Sequence, residues 1–117
     1  MALFKRFYYA FSGIFYLILR EHNFRLHLVL FGILVFFGFY FDISKVEWIS
    51  VIICSSIVLS LEAVNSSVEQ LSNHLHPGQH ENIKNVKDIA AGAVLIAALF
   101  SAIVACIIFF PKVYALF

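Results

Sequence analysis

Residues 89–110 form a run of 22 without a single charged side chain. As a helix at ~1.5 Å per residue, a run of that length spans the ~30 Å hydrocarbon layer of a bilayer, where a helix satisfies its own backbone hydrogen bonds. Two shorter apolar runs precede it, 26–41 and 48–66, separated by the polar turn 42–47. With 117 residues, 62% hydrophobic and only 13% charged, the composition lies far outside the soluble range. The expected fold is all-α and integral to the membrane, one domain over 1–117 with three spans, the first two short enough to require tilt or local thinning.

Ahead of the spans, Phe4, Phe7, Tyr8, Phe11, Ile14, Phe15 and Ile18 repeat at helical spacing, while Lys5, Tyr9, Ser12, Tyr16 and Arg20 fall on the opposite side. Residues 4–20 therefore read as an amphipathic helix lying on the membrane surface, since Arg20, Glu21 and Arg25 shorten and charge it as a span. No small-residue cleavage site follows Lys5-Arg6, so a removable signal peptide is not expected. Basic residues set the orientation. Lys5, Arg6, Arg20, Arg25, Lys84 and Lys87 gather on one side, against Lys45 and Lys112 on the other, which places the N-terminus and the 73–87 loop in the cytoplasm.

The small residues Ala90, Ala91, Gly92, Ala93, Ala97, Ala98, Ser101 and Ala102 suit close helix packing. Three spans enclose little polar surface alone, so burial against further copies of the chain is expected. Cys54 and Cys106, far from any CxxC spacing, read as buried small hydrophobes. No basic-aromatic patch points to a nucleic-acid partner.

What the apolar runs do not explain is LEAVNSSVEQLSN, residues 61–73. At ~100° per residue, Asn65, Ser66, Glu69 and Asn73 all fall within about 60° of Glu62, making one polar stripe. Carboxylates at membrane depth cost several kcal/mol unless they face protein, water, metal or substrate, so the stripe is a candidate site. Glu21 and Lys87-Asp88 lie at the same end of the spans. Carboxylates beside a lysine form a minimal set for magnesium-nucleotide chemistry, because Mg²⁺ is held by one or two carboxylates plus phosphate oxygens. No glycine-rich phosphate loop is present. Residue types alone leave a second reading open, a small oligomeric ion or proton transporter, although polar groups spread over the full depth would suit that better. The residues by themselves leave an intramembrane acidic site of unknown reaction, in which Glu62 sits about 10 Å deeper than Glu69.

Glu62, Asn65, Ser66, Ser67, Val68 and Glu69 match the pattern Glu-x-x-Asn-Ser/Thr-Ala/Ser-Ile/Val-Glu. Glu21, Asn23, Phe24, Arg25 and His27 upstream, with His80 and KDIAAGAVL from Lys87 downstream, extend the match over nearly the whole chain. In these features the sequence resembles the prokaryotic diacylglycerol kinases and their Gram-positive undecaprenol kinase relatives. That resemblance implies a homotrimer in the bacterial cytoplasmic membrane with its site on the cytoplasmic side, transferring the γ-phosphate of Mg-ATP to a lipid hydroxyl. It implies Glu62 as catalytic base; Glu21 and Glu69 as magnesium ligands; Asn65, His80, Lys87 and Asp88 as further nucleotide contacts; and Ser66 beside the lipid. The ISKVEW turn, the chain length and the FFPKV ending resemble the undecaprenol branch more than the diacylglycerol branch. One departure is Ser72-Asn73, where the family usually has Val-Asp. Asp88 doubles as a candidate cap of the third span's helix. His74, His76 and His80 read as a solvated loop rather than a zinc site.

Overall fold

The computed structural model describes residues 2–75, 78 and 80–117, and consists of four helices: α1 (Ala2–Arg20), α2 (His22–Tyr40), α3 (Lys45–Leu75) and α4 (Glu81–Tyr114). All four are long and apolar enough to cross a membrane, α1 included. The helices outrun the apolar stretches. With 31 and 34 residues, α3 and α4 extend about 46 and 51 Å at ~1.5 Å per residue, well beyond a ~30 Å hydrocarbon layer. The expected 73–87 loop is accordingly mostly helix. Residues 67–75 and 81–88, mostly polar and with no glycine or proline, continue the spans as polar stalks.

Helix α1 ends at Arg20 and Glu21 is extended, with φ −106° and ψ 110°, before α2 starts at His22. Arg25 belongs to α2. Its guanidinium reaches back 3.0 Å to the Leu19 carbonyl and 3.3 Å to that of Ile18, satisfying acceptors that the last turn of α1 leaves open. No residue of α1 is buried, and its aromatic side chains are exposed.

At the opposite end α2 turns into α3 over residues 41–44. Asp42 takes φ 51°, a left-handed conformation that aspartate tolerates better than most residues. Ser44 and Glu47 form a reciprocal cap at the start of α3: Glu47 N–H donates to Ser44 Oγ at 3.2 Å, and Ser44 N–H donates to Glu47 Oε1 at 2.9 Å. The other oxygen of Glu47 accepts from Lys112 Nζ at 2.8 Å, fastening the end of α4 to the start of α3. Lys112, Ser44 and the Ser44 backbone together hold the Glu47 carboxyl below the ordinary carboxylate range. Gly38 is required here, because a Cβ on it would lie 2.6 Å from the Trp48 ring. Ile43, Val51 and Ile108 form the best-buried apolar cluster, packed by Phe31, Leu34, Phe41, Trp48, Val104 and Phe109.

The buried residues of α3 are Val51, Ser55, Val58, Glu62, Ser66 and Ser72, the first five spaced by three and four residues as one stripe. Val51 at its outer end joins the cluster with Ile108 of α4, and beside the stripe Ser101 Oγ of α4 donates to the Cys54 carbonyl at 3.4 Å. Cys54 is half-buried, but Cys106 is exposed on α4, so the expectation that both cysteines are buried fails for Cys106 in the single chain.

Candidate active site

Where the buried stripe of α3 changes from apolar to polar, Glu62 is 5% exposed and Ser66, one turn on, 4% exposed. The Glu62 carboxylate faces His27 of α2, with Nε2 to Oε2 at 3.8 Å. Among the described residues Ser66 Oγ has no hydrogen-bond partner, whereas Ser67 and Ser50 on the same helix donate to the carbonyls four residues back. Leaving a buried hydroxyl unpaired costs about 1–3 kcal/mol, so a polar ligand that engages it gains by that amount. Asn65 is half-buried beside them.

One and two turns further along, Glu69 and Asn73 are exposed. Glu21, at the junction of α1 and α2, accepts a hydrogen bond from Gln70 Nε2 at 3.2 Å. The carboxylate at the helix break is thereby set against the residue that follows Glu69. Across from α3, Lys87 of α4 donates to Asn73 Oδ1 at 2.8 Å. The structure thus brings Glu62, Ser66, Glu69, Glu21, Asn73 and Lys87 to one end of the bundle, the first two buried and the others at its rim.

Two expectations change. Asp88 does not cap a helix: α4 begins two turns earlier, with His80 as its N-cap, accepting from Asn82 N–H through Nδ1 at 3.2 Å. Asp88 instead pairs with Lys84 four residues before it, at 2.6 Å. The positive end of α4 lies at residues 80–81, about 10 Å along the axis from Lys87. His74 lies in the last turn of α3 rather than in a loop, and His76 lies outside the described residues.

Sequence reasoning passed over Gln70, His27 as the neighbour of Glu62, and the Glu47–Lys112 tie. The Ser44-x-x-Glu47 spacing was a readable capping signal. Gln70 and His27 carried none, since only the packing of α2 on α3 selects them. Among the described residues no three His, Cys, Asp or Glu side chains cluster as a metal cage. Glu21 and Glu69 are hard oxygen donors at the wet rim, a set that suits magnesium shared with phosphate oxygens rather than a closed protein site.

From His27 a groove of about 270 Å³ opens between α2, α3 and α4, lined by Leu30, Phe31, Leu34, Val58, Leu59 and alanines of α4, with Ser55 and Ser101 as its other polar members. Glu62 does not line this groove itself; His27, which faces Glu62 at 3.8 Å, is the residue that links the two.

A family model described as prokaryotic diacylglycerol kinase matches residues 8–109. The chain belongs to that family. Among its relatives, an undecaprenol kinase of Bacillus subtilis (strain 168) is 33% identical over 109 residues, covering 93% of this chain and 89% of the relative. A diacylglycerol kinase of Synechocystis sp. is 31% identical over 112 residues, covering 94% of this chain and 63% of that longer protein. The chain is therefore a phosphotransferase that acts on a lipid alcohol, and its long apolar helices make it a membrane lipid kinase.

Proposed function

We propose that this diacylglycerol kinase family member transfers the γ-phosphate of Mg-ATP to the hydroxyl of a membrane lipid at the cytoplasmic face of a bacterial inner membrane, with undecaprenol favoured over diacylglycerol. The observation that carries this reading is the graded stripe of α3, a buried Glu62 beside an apolar groove and an exposed Glu69 on the same face about 10 Å away. The preference for undecaprenol rests on the turn and ending of the sequence and on the relative from Bacillus subtilis.

With its chain in the groove, a lipid presents its hydroxyl to Glu62. The Glu62 carboxylate takes the hydroxyl proton as the lipid oxygen bonds to the γ-phosphorus, and the bond from that phosphorus to the bridging oxygen breaks, its electron pair leaving with ADP. Glu62 then returns the proton to water. Ser66 offers its unpaired hydroxyl to the lipid headgroup, and Asn65, half-buried between the two glutamates, bridges lipid and nucleotide. Glu21 and Glu69 would hold magnesium through their carboxylates, and the ion would supply positive charge against the triphosphate. Lys87 adds a cation for the phosphates, while Asp88 and His80 stand further along α4 at the nucleotide side.

A homotrimer completes this picture, since α1 buries nothing within one chain and most large apolar side chains of α2 to α4 are exposed. Helix α1 serves as a surface anchor, with its aromatic face in the lipid. A transporter fits less well: outward of Glu62 the helices carry no charged residue until Glu47 and Lys112. Purified protein in lipid vesicles, given labelled ATP, Mg²⁺ and equal amounts of undecaprenol and diacylglycerol, should label undecaprenol faster. No labelled lipid would refute the kinase mechanism, and faster diacylglycerol labelling would reverse the substrate order.

A further inference from the structure

The rim contains two lysines with different partners. Lys84 is paired with Asp88 at 2.6 Å, a full ion pair along one face of α4. Lys87, half-buried, makes its one hydrogen bond among the described residues to a neutral group, the Asn73 side-chain oxygen at 2.8 Å, and has no carboxylate within ion-pairing distance. The ammonium has donors only, so the amide oxygen must face it and the two N–H donors of Asn73 are left for another acceptor. One turn before Asn73, on the same face of α3, stands Glu69. A hydrogen bond across α3 and α4 thus orients the ammonium beside the site without cancelling its charge.

We propose that Asn73 is a positioning and affinity-setting residue for the nucleotide: it holds Lys87 in place as an uncompensated cation and adds amide donors for a polyphosphate oxygen. This rests on the reading above that Lys87 meets the triphosphate. An aspartate of the same shape at position 73 would reverse both contributions, pairing with Lys87 and replacing two donors by a negatively charged oxygen close to the bound phosphates. The resemblance alone suggests that an added carboxylate at 73 tightens magnesium-nucleotide binding. The observed partner of Asn73 is the lysine, and the sign changes.

The test is equilibrium dialysis of labelled Mg-ATP against the full chain in lipid nanodiscs, at low and high salt, together with thermal unfolding. Asn73→Asp should weaken binding by about tenfold at low salt, the scale of one charged contact, with a smaller effect at high salt. Its unfolding temperature should be equal or higher, because the new ion pair ties α3 to α4, and this separates a site effect from damage. Asn73→Ala, which loses the tether but keeps the charge, should weaken binding less. Wild-type or tighter binding by Asn73→Asp, when Lys87→Met binds poorly, overturns the role of Asn73 alone. Wild-type binding by Lys87→Met overturns the placement of Lys87 on the triphosphate, and the role of Asn73 with it.

Discussion

Replacing Glu62 by glutamine keeps the shape of the buried stripe and removes its proton acceptor. Glu62→Gln should lower turnover by at least the ~10²–10⁴ that general base catalysis contributes, while Mg-ATP binding, governed by groups at the rim, stays within about twofold. Single-turnover phosphorylation alongside nucleotide dialysis checks this; loss of nucleotide binding would move Glu62 into the metal-binding set. Glu69→Gln and Glu21→Gln should do the reverse first, raising the magnesium needed for half-maximal activity, because an amide attracts a hard divalent cation far less than a carboxylate does. Glu21 has a structural partner as well, and Gln70→Ala distinguishes the two roles: it should raise the magnesium requirement less than Glu21→Gln, since the ligand remains but loses its hydrogen bond. Unchanged magnesium curves for both glutamate variants would remove them from the metal site.

At the scale of helices, the end of the bundle remote from the site holds the best-buried apolar cluster and the Glu47–Lys112 ion pair. Gly38→Ala places a methyl group 2.6 Å from the Trp48 ring, and overpacking of that kind costs about 1–3 kcal/mol. A fall in unfolding temperature should result, with nucleotide affinity unchanged. Glu47 gives that end a pH dependence. Its carboxyl is depressed when folded, so its stabilising contribution is complete above the ordinary carboxylate range and is lost as the pH falls through the lower, folded value. Thermal unfolding across the acid range should therefore steepen for wild type and lose that increment in Glu47→Gln. The apolar runs made the helices readable, since a span announces itself by composition. Their true ends were not: residues 67–75 and 81–88 are mostly polar and of mixed helix propensity, and α3 and α4 run through them because no glycine or proline interrupts, which is why Asp88 read as a cap although α4 starts at Glu81 behind its N-cap His80. The stripe of Glu62, Ser66 and Glu69 was legible because helical geometry alone aligns it. The contacts of Glu62 with His27, Glu21 with Gln70 and Lys87 with Asn73 depend on how separate helices meet, and no periodicity encodes them.

Taken whole, the molecule has two ends, and the contacts agree on which is which. Glu21 meets Gln70 and Asn73 meets Lys87 at one end; Gly38 meets Trp48 and Glu47 meets Lys112 at the other. Arg20, Arg25, Lys84 and Lys87 lie at the first end, against Lys45 and Lys112 at the other, so the first should face the cytoplasm. Helix α1 reads as a surface helix although its 19 residues suffice to cross a membrane, because its polar face of Lys5, Tyr9, Ser12, Tyr16 and Arg20 would as a span lie in lipid or against another copy. The two arrangements put the N-terminus on opposite sides. Leu3→Cys, Ser44→Cys and Asn85→Cys, each made singly in a chain whose Cys54 and Cys106 are replaced by alanine, separate them under a membrane-impermeant maleimide. All three positions are exposed in the structure. Intact cells should label position 44 alone, and opened cells all three, if α1 lies on the inner surface. Labelling of position 3 from outside would make α1 a fourth span, whereas labelling of position 85 from outside would invert the whole molecule and take the site away from cytoplasmic ATP.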